Sequence, residues 1–237
     1  MEPDHSGSIS IMRKLYPEMK IIGNKKTLEM IEAFYGIHDG VVEVKEGEVL
    51  DLGRHKLAFA TIPMVHWPES MVTYDTTDKV LFSTDAFGGF CALEGGIFDD
   101  ELDMKLYEDE TLRYFANIVG RYSMPTQKAI AKVRALDLKI ICPAHGPILR
   151  SDPMHIVDLY DKWSKHETDE GIVVVYGSMY GNTKLMTDAI ARAACEAGVK
   201  DVIVHDASRS NLSCIVRDVW KYRGLVLGSC TYNTELY

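Results

Sequence analysis

Glu2, Asp4, His5, His66, Asp85 and His145 are the side chains here whose types suit metal chemistry. Carboxylate oxygen and imidazole nitrogen are both ligands for first-row transition metals. Glu2-Pro3-Asp4-His5 places three potential ligands within four residues. His66 stands in Pro63-Met64-Val65-His66-Trp67, Asp85 closes Leu81-Phe82-Ser83-Thr84-Asp85, and His145 lies between Pro143 and Pro147 beside Gly146. Each sits on a loop leaving a strand-like run, where scaffolds tend to present functional groups. Any one alone reads as a structural histidine or a turn cap. Together, in this order, they point to one metal site.

A second chemistry lies further along. Ser178-Met179-Tyr180-Gly181-Asn182-Thr183 follows an apolar run and opens a helical segment. Small hydroxyl residues and a glycine at a helix N-terminus let backbone N–H groups and the helix dipole receive a phosphate. The G-x-G-x-x-G of a dinucleotide site is absent, so a singly phosphorylated ligand is expected. Ser229-Cys230-Thr231-Tyr232-Asn233 follows a later apolar run and is the companion loop.

These loops need strands and helices to hold them. Periodicity predicts strands over 20–23, 41–43, 48–51, 55–61, 71–75, 79–83 and 139–142, with a hairpin turn at 76–78. It predicts helices over 27–35, 108–121, 126–136 and 155–165. The pattern then changes to a strand at 172–176, a helix at 183–197 and strands at 201–205 and 225–227. That rhythm belongs to a parallel, doubly wound sheet. The expected organisation is one domain over 1–165, a charged linker over 166–171 and a second domain over 172–237.

A formal charge of −9 over 237 residues argues against a nucleic-acid partner, which needs a concentrated positive face. No apolar run reaches the ~20 residues of a membrane span. Glu2, Pro3 and Asp4 follow Met1 where a leader would carry basic and apolar regions. Cys91, Cys142, Cys195, Cys214 and Cys230 are scattered and form no C-x-x-C pair. That argues against a disulfide framework and a thiolate-held metal, so the expectation is a reducing, cytoplasmic setting.

The spacing is 62 positions from Asp4 to His66, 19 from His66 to Asp85 and 60 from Asp85 to His145. This order resembles the metallo-β-lactamase fold, and specifically its flavodiiron branch. The phrases Val65-His66-Trp67-Pro68-Glu69-Ser70-Met71, Ser83-Thr84-Asp85-Ala86-Phe87-Gly88, Ala92-Leu93-Glu94-Gly95-Gly96-Ile97-Phe98-Asp99-Asp100 and Cys142-Pro143-Ala144-His145-Gly146-Pro147 resemble that family too. The fold so implied is α/β: a metallo-β-lactamase-like αββα sandwich without its first strands, then a partial flavodoxin-like doubly wound parallel sheet. The family's first motif is H-x-E-x-D-H. Met1 stands at the first x, so the chain is expected to begin inside the motif. It is likewise expected to stop after the third of about five flavodoxin-like strands.

The resemblance implies two irons. Glu2 and His66 would hold one, Asp4 and His145 the other, and Asp85 would bridge them. His5 is expected beside the metals as a partner of the ligands. Hydrolytic zinc members place a histidine where Glu2 stands, and an added hard oxygen suits iron cycling between ferrous and ferric states. Residues 178–183 and 229–233 resemble the FMN loops of flavodoxins, the first gripping phosphate and the second lining the isoalloxazine. The implied activity is an oxidoreductase passing electrons through FMN to the di-iron site, which reduces O2 to water or NO to N2O. Its partners would be a separate donor such as rubredoxin, or a reduced cofactor, and further copies of itself in a head-to-tail dimer or tetramer. Two alternatives stand beside this reading. One is a zinc hydrolase of the same fold, against which Glu2 and the phosphate loop argue. The other is a partly folded, non-catalytic fragment.

Overall fold

The computed structural model describes residues 1–90, 92, 93 and 95–236. Cys91, and Glu94 of the phrase at 92–100, lie outside them. The chain divides into two compact units, Met1–Thr111 with Tyr122–Asp161, and Leu112–Arg121 with Lys162–Tyr237. No helix among the described residues is long and apolar enough to cross a membrane.

The first unit opens with two short helices, α1 (Pro3–Ser6) and α2 (Ile9–Leu15), neither foreseen from periodicity. Strand β1 (Ile21–Gly23), helix α3 (Lys25–Tyr35) and strand β2 (Val41–Glu43) follow, with β1 and β2 paired in parallel. Asn24 caps α3: its side-chain oxygen accepts from the Thr27 N–H at 3.0 Å, and its amide nitrogen donates to the Glu69 carbonyl at 2.7 Å. One residue thereby starts a helix and pins the loop that carries His66. Gly36, at φ +66°, ends α3 in the left-handed conformation that glycine adopts without Cβ strain.

Strands β3 (Val49–Asp51), β4 (Lys56–Thr61), β5 (Met71–Asp75), β6 (Val80–Thr84) and β7 (Ile140–Pro143) form a five-stranded sheet in that spatial order. The first three pairings are antiparallel, and β6–β7 is parallel. The β5–β6 hairpin closes as expected, with Asp75 accepting from the Thr77 N–H at 2.9 Å. Helices α4 (Met104–Tyr114), α5 (Ser123–Val133) and α6 (Pro153–Ser164) complete the layers. Phe59, Val72, Leu81 and Ile141 of the sheet are buried, as are Ile130, Val133, Val157 and Tyr160 of the helices. Apolar alternation along the strands made this core legible.

A helix running unbroken over 108–121 is not what forms. After α4 the backbone widens into a π turn at Phe115–Val119 and tightens into a 3-10 turn at Gly120–Tyr122. The change of pitch coincides with Phe115 lodging against two tryptophans of its own unit, at 5.6 Å from Trp163 and 5.7 Å from Trp220. A Cβ on Gly120 would lie 2.6 Å from the Trp220 ring. Arg113 and Asn117 reach Ser213 by hydrogen bonds, so the stretch Leu112–Arg121 groups with the second unit.

The second unit holds β8 (Asp169–Gly177), α7 (Asn182–Glu196), β9 (Val202–Asp206), α8 (Leu212–Lys221) and β10 (Tyr222–Ser229), with a small hairpin of β11 (Thr231–Tyr232) and β12 (Glu235–Leu236). Its sheet is wholly parallel in the order β10-β8-β9, the first three strands of a flavodoxin-like order. The central β8 is buried along most of its length, as a strand flanked on both sides must be. It begins at Asp169, inside the expected linker, because Tyr222 already pairs with Asp169. Helix α8 fills the segment left unassigned between the second and third strands. Asn211 caps it, accepting from the Ser213 N–H at 2.9 Å.

Asp99 anchors the chain just beyond His145. It is buried, and its carboxylate accepts from the Ser151 hydroxyl at 2.6 Å and from the Arg150 and Ser151 N–H groups at 3.0 and 3.1 Å. Burial alone would raise its pKa. The bonds from Ser151, Arg150 and Asp100 outweigh burial and hold it below the usual carboxylate value. A depressed pKa in the folded state stabilises above the unfolded value of about 3.9, and that stability is lost as pH falls through the folded pKa. Asp99→Asn is expected to cost about 1.5–3 kcal/mol at pH 7, the worth of hydrogen bonds to a charged group. Urea denaturation at pH 7 and pH 3 checks it: the two proteins should differ at the first and converge toward the second.

Candidate metal centre

Four loops meet at one edge of the first unit. Glu2 is the N-cap of α1, and Pro3 occupies the first helical position, where its missing N–H costs nothing. The turn thus begun projects Asp4 and His5. His66 lies between β4 and β5, in a loop closed by the Met64 N–H donating to the Trp67 carbonyl at 2.7 Å and the Trp67 N–H donating to the Ser70 hydroxyl at 3.2 Å. Asp85 follows β6, and His145 follows β7. Because β6 and β7 pair in parallel, their C-terminal ends deliver Asp85 and His145 side by side.

The ligand atoms form two groups. Glu2, His66 and Asp85 make one, with Glu2 Oε2 at 3.2 Å and Asp85 Oδ2 at 3.6 Å from His66 Nε2. Trp67 Nε1 donates to the same Glu2 oxygen at 3.0 Å and orients it. Asp4, His5 and His145 make the other, with Asp4 Oδ2 at 3.3 Å from His145 Nε2 and 3.5 Å from His5 Nε2. Asp85 Oδ1 faces this second group, at 3.2 Å from His5 Nε2 and 3.4 Å from His145 Nε2. One carboxylate therefore turns an oxygen to each group. No cysteine belongs to either group among the described residues.

All five side chains expected as ligands are brought together. His5 is displaced from the outer position expected of it: its ring nitrogen lies level with Asp4 and His145, 3.2 Å from His145 Nε2. Its place beside Asp4 in the first turn of a four-residue helix is what brings it inward, and a helix that short leaves no periodicity to read.

These residues fit a pair of metal ions. Asp85 is buried at 3% exposure, yet its Oδ1 accepts no hydrogen bond from the protein. A buried polar atom in that condition is costly unless a cation answers it. Asp85 with the three imidazoles and two other carboxylates around it matches the donors of oxygen- and nitrogen-ligated transition metals. Behind Asp85, burial and the Asp85 charge push the Tyr160 phenol well above its ordinary pKa, so it stays a hydrogen-bond donor.

The phosphate-binding expectation falls in the second unit. Gly181 adopts φ +86° as the N-cap of α7, and Asn182 and Thr183 open the helix. The Ser178 hydroxyl accepts from the Gly181 N–H at 3.1 Å, while Tyr180 stands 85% exposed and Met179 is half-buried. Ser229 pairs with Gly177 across β10 and β8, so both loops leave the same sheet edge, as expected of neighbouring strands. A cavity of about 440 Å³ lies there, lined in part by Tyr176, Gly177, Ala207 and Ser229. Beyond Ser229, the stretch Cys230–Asn233 does not stay a simple loop. Thr231 and Tyr232 form β11, and Asn233 takes φ +49° in the turn to β12. A helix N-terminus opened by small residues can receive a phosphate group on its backbone N–H groups.

A family model described as ODP family beta lactamase matches residues 1–146. An uncharacterized protein of Methanocaldococcus jannaschii is 35% identical over 100% of this chain and 60% of its own length. The anaerobic nitric oxide reductase flavorubredoxin of Escherichia coli is 33% identical over 99% of this chain and 50% of its own. This chain thus spans about half the length of the curated relatives it matches. Among solved structures, rubredoxin:oxygen oxidoreductase from Desulfovibrio gigas superposes with a TM-score of 0.91 at 28% identity, covering 96% of this chain and 58% of that one. A Thermotoga maritima flavoprotein superposes with a TM-score of 0.91 at 31% identity, covering 100% and 59%. The match over residues 1–146 and these neighbours agree with the paired ligand groups around Asp85: the chain belongs to the ODP β-lactamase family, in its flavodiiron branch.

Proposed function

We propose that this chain carries the di-iron centre and the first flavin-binding strands of an oxidoreductase that reduces O2 to water or NO to N2O. The observation that supports it most is Asp85, a buried carboxylate with one oxygen toward each ligand group and Oδ1 left without a hydrogen bond. Glu2 and His66 would hold one iron, and Asp4, His145 and His5 the other, with Asp85 shared. When bound, the iron pair would supply electrons for the reduction of the substrate. The protein's part is to set the ligands beforehand. Trp67 fixes the Glu2 carboxylate, the parallel β6–β7 pair fixes Asp85 against His145, and α1 holds Asp4 and His5 on one turn.

FMN is the proposed relay, its phosphate received at residues 178–183 and its ring lined by residues 229–233. The donor would be a rubredoxin-type protein or a reduced cofactor, and a head-to-tail dimer or tetramer would bring one copy's flavin to another's irons. The relatives' names include both a nitric oxide reductase and an oxygen oxidoreductase, so both substrates belong in the assay.

Metal and flavin analysis of protein purified without air is the test. Two irons per chain with bound FMN, and consumption of O2 or NO when a chemical reductant is supplied, is the expected result. Zinc in place of iron with no flavin would overturn the reading and bring the hydrolase alternative forward.

A further inference from the structure

We infer that Tyr160 is a positioning residue for the metal centre, its buried hydroxyl fixing the turn on which Asp85 and His145 both depend. This rests on the di-metal reading above and assigns a part to a side chain outside both ligand groups.

Tyr160 lies on α6 and is fully buried. Its hydroxyl donates to the Gly88 carbonyl at 2.8 Å, and its ring meets Phe87 edge to face at 5.2 Å. The turn it grips is strained. Thr84, at φ +55°, and Phe87, at φ +68°, stand on either side of Asp85 in the left-handed region. A β-branched and a bulky residue adopt that conformation at a cost and hold it only where the surroundings impose it. The turn has its own internal bonds: the Ser83 hydroxyl donates to the Ala86 carbonyl at 2.8 Å, and the Gly88 N–H donates to the Asp85 carbonyl at 3.1 Å. These shape the turn without tying it to the rest of the unit. Tyr160 does tie it.

The same tie reaches His145. The Gly89 N–H, in the same peptide group as the gripped carbonyl, donates to the His145 carbonyl at 3.3 Å. Gly88 itself is wedged in place, since a Cβ there would lie 3.0 Å from both the Asp85 and the His145 carbonyl oxygens. A shift of this turn would therefore move the shared carboxylate and a ligand of the second group together. Fixing ligand orientation from outside the coordination sphere is how such partners tune metal affinity.

The test uses Co2+, whose visible absorption reports its ligand geometry, titrated without air into the metal-stripped full chain. Tyr160→Phe removes one oxygen and keeps the ring. It is expected to fold with nearly the wild-type melting point, bind Co2+ roughly 10–100-fold more weakly, and give an altered visible spectrum. Tyr107→Phe, which deletes a comparable bond to the Ala92 carbonyl, should bind as wild type. Gly88→Ala presses on the same turn while leaving the Tyr160 side chain intact and is expected to weaken Co2+ binding as well. If a folded Tyr160→Phe or Gly88→Ala binds two Co2+ with wild-type affinity and spectrum, the positioning role is overturned. An unfolded Tyr160→Phe would overturn it too, by assigning the hydroxyl to the core at large. Failure of the wild type to bind Co2+ would overturn the di-metal reading itself.

Discussion

Asparagine at position 85 is expected to lower metal binding from two ions per chain to at most one, while leaving the metal-free protein as stable as before or more so. Among the described residues, Asp85 is the one whose two carboxylate oxygens face different halves of the centre. Its Oδ2 faces His66, and its Oδ1 faces His5 and His145. Asparagine keeps the shape but replaces one oxygen by an NH2 group and removes the negative charge that would offset two cations. Loss of an outer partner costs ~10–100-fold in metal affinity, and loss of a shared ligand should exceed ~100-fold. The stability effect runs the other way because a buried carboxylate with an unanswered oxygen destabilises the empty site. Isothermal titration with Fe2+ or Mn2+, paired with thermal melts of the stripped protein, checks both. A variant that binds two ions as tightly as wild type would remove Asp85 from the shared position. One that melts far lower when stripped would show that Asp85 holds the fold and not a metal.

Alanine at position 218 is the second large effect, and it falls on the second unit. Asp218 on α8 is 3% exposed. It accepts from His205 Nε2 on β9 and Arg217 Nε, each at 2.7 Å. Burial pulls its pKa upward, but the bonds and charges of Arg217 and His205 outweigh burial and hold it low. Breaking a buried ion pair by deleting one partner costs ~3–5 kcal/mol, because the remaining charge is left unanswered. Arg217 retains some access to solvent, which favours the lower end, about 3 kcal/mol. That is a large fraction of the ~5–15 kcal/mol that holds most domains together. With the folded pKa depressed, this stability is present above about pH 4 and lost as pH falls through the folded value. Urea denaturation followed by the fluorescence of Trp163 and Trp220 should show a much earlier transition for Asp218→Ala at pH 7. The gap should close at pH 3. A transition unchanged at pH 7 would mean the network contributes little.

Much of this was readable along the chain because the signals are local. Strands β4, β5 and β8 carry long apolar or alternating runs, and they form where periodicity placed them to within a few residues. The order of metal-capable residues on strand-ending loops was readable for the same reason. Helices α1 and α2 were not, since four and seven residues are too few for a 3.6-residue period to show, and neither has a side-chain cap. Helix α4 starts ahead of the periodic run at 108–121, and its π turn leaves no local signal, because the change of pitch coincides with Phe115 meeting Trp163 and Trp220, far apart in sequence.

Residue identity and short-range spacing were enough to read the donor types at the centre, the family they belong to and the parallel rhythm of the second unit. Long-range packing, by contrast, sets His5 level with Asp4 and His145, turns one oxygen of Asp85 to each group and brings Tyr160 onto the turn between them. These are contacts across 19 to 140 sequence positions. Their distances are set by how β6 and β7 pair and how α6 packs, and a local pattern carries no record of either.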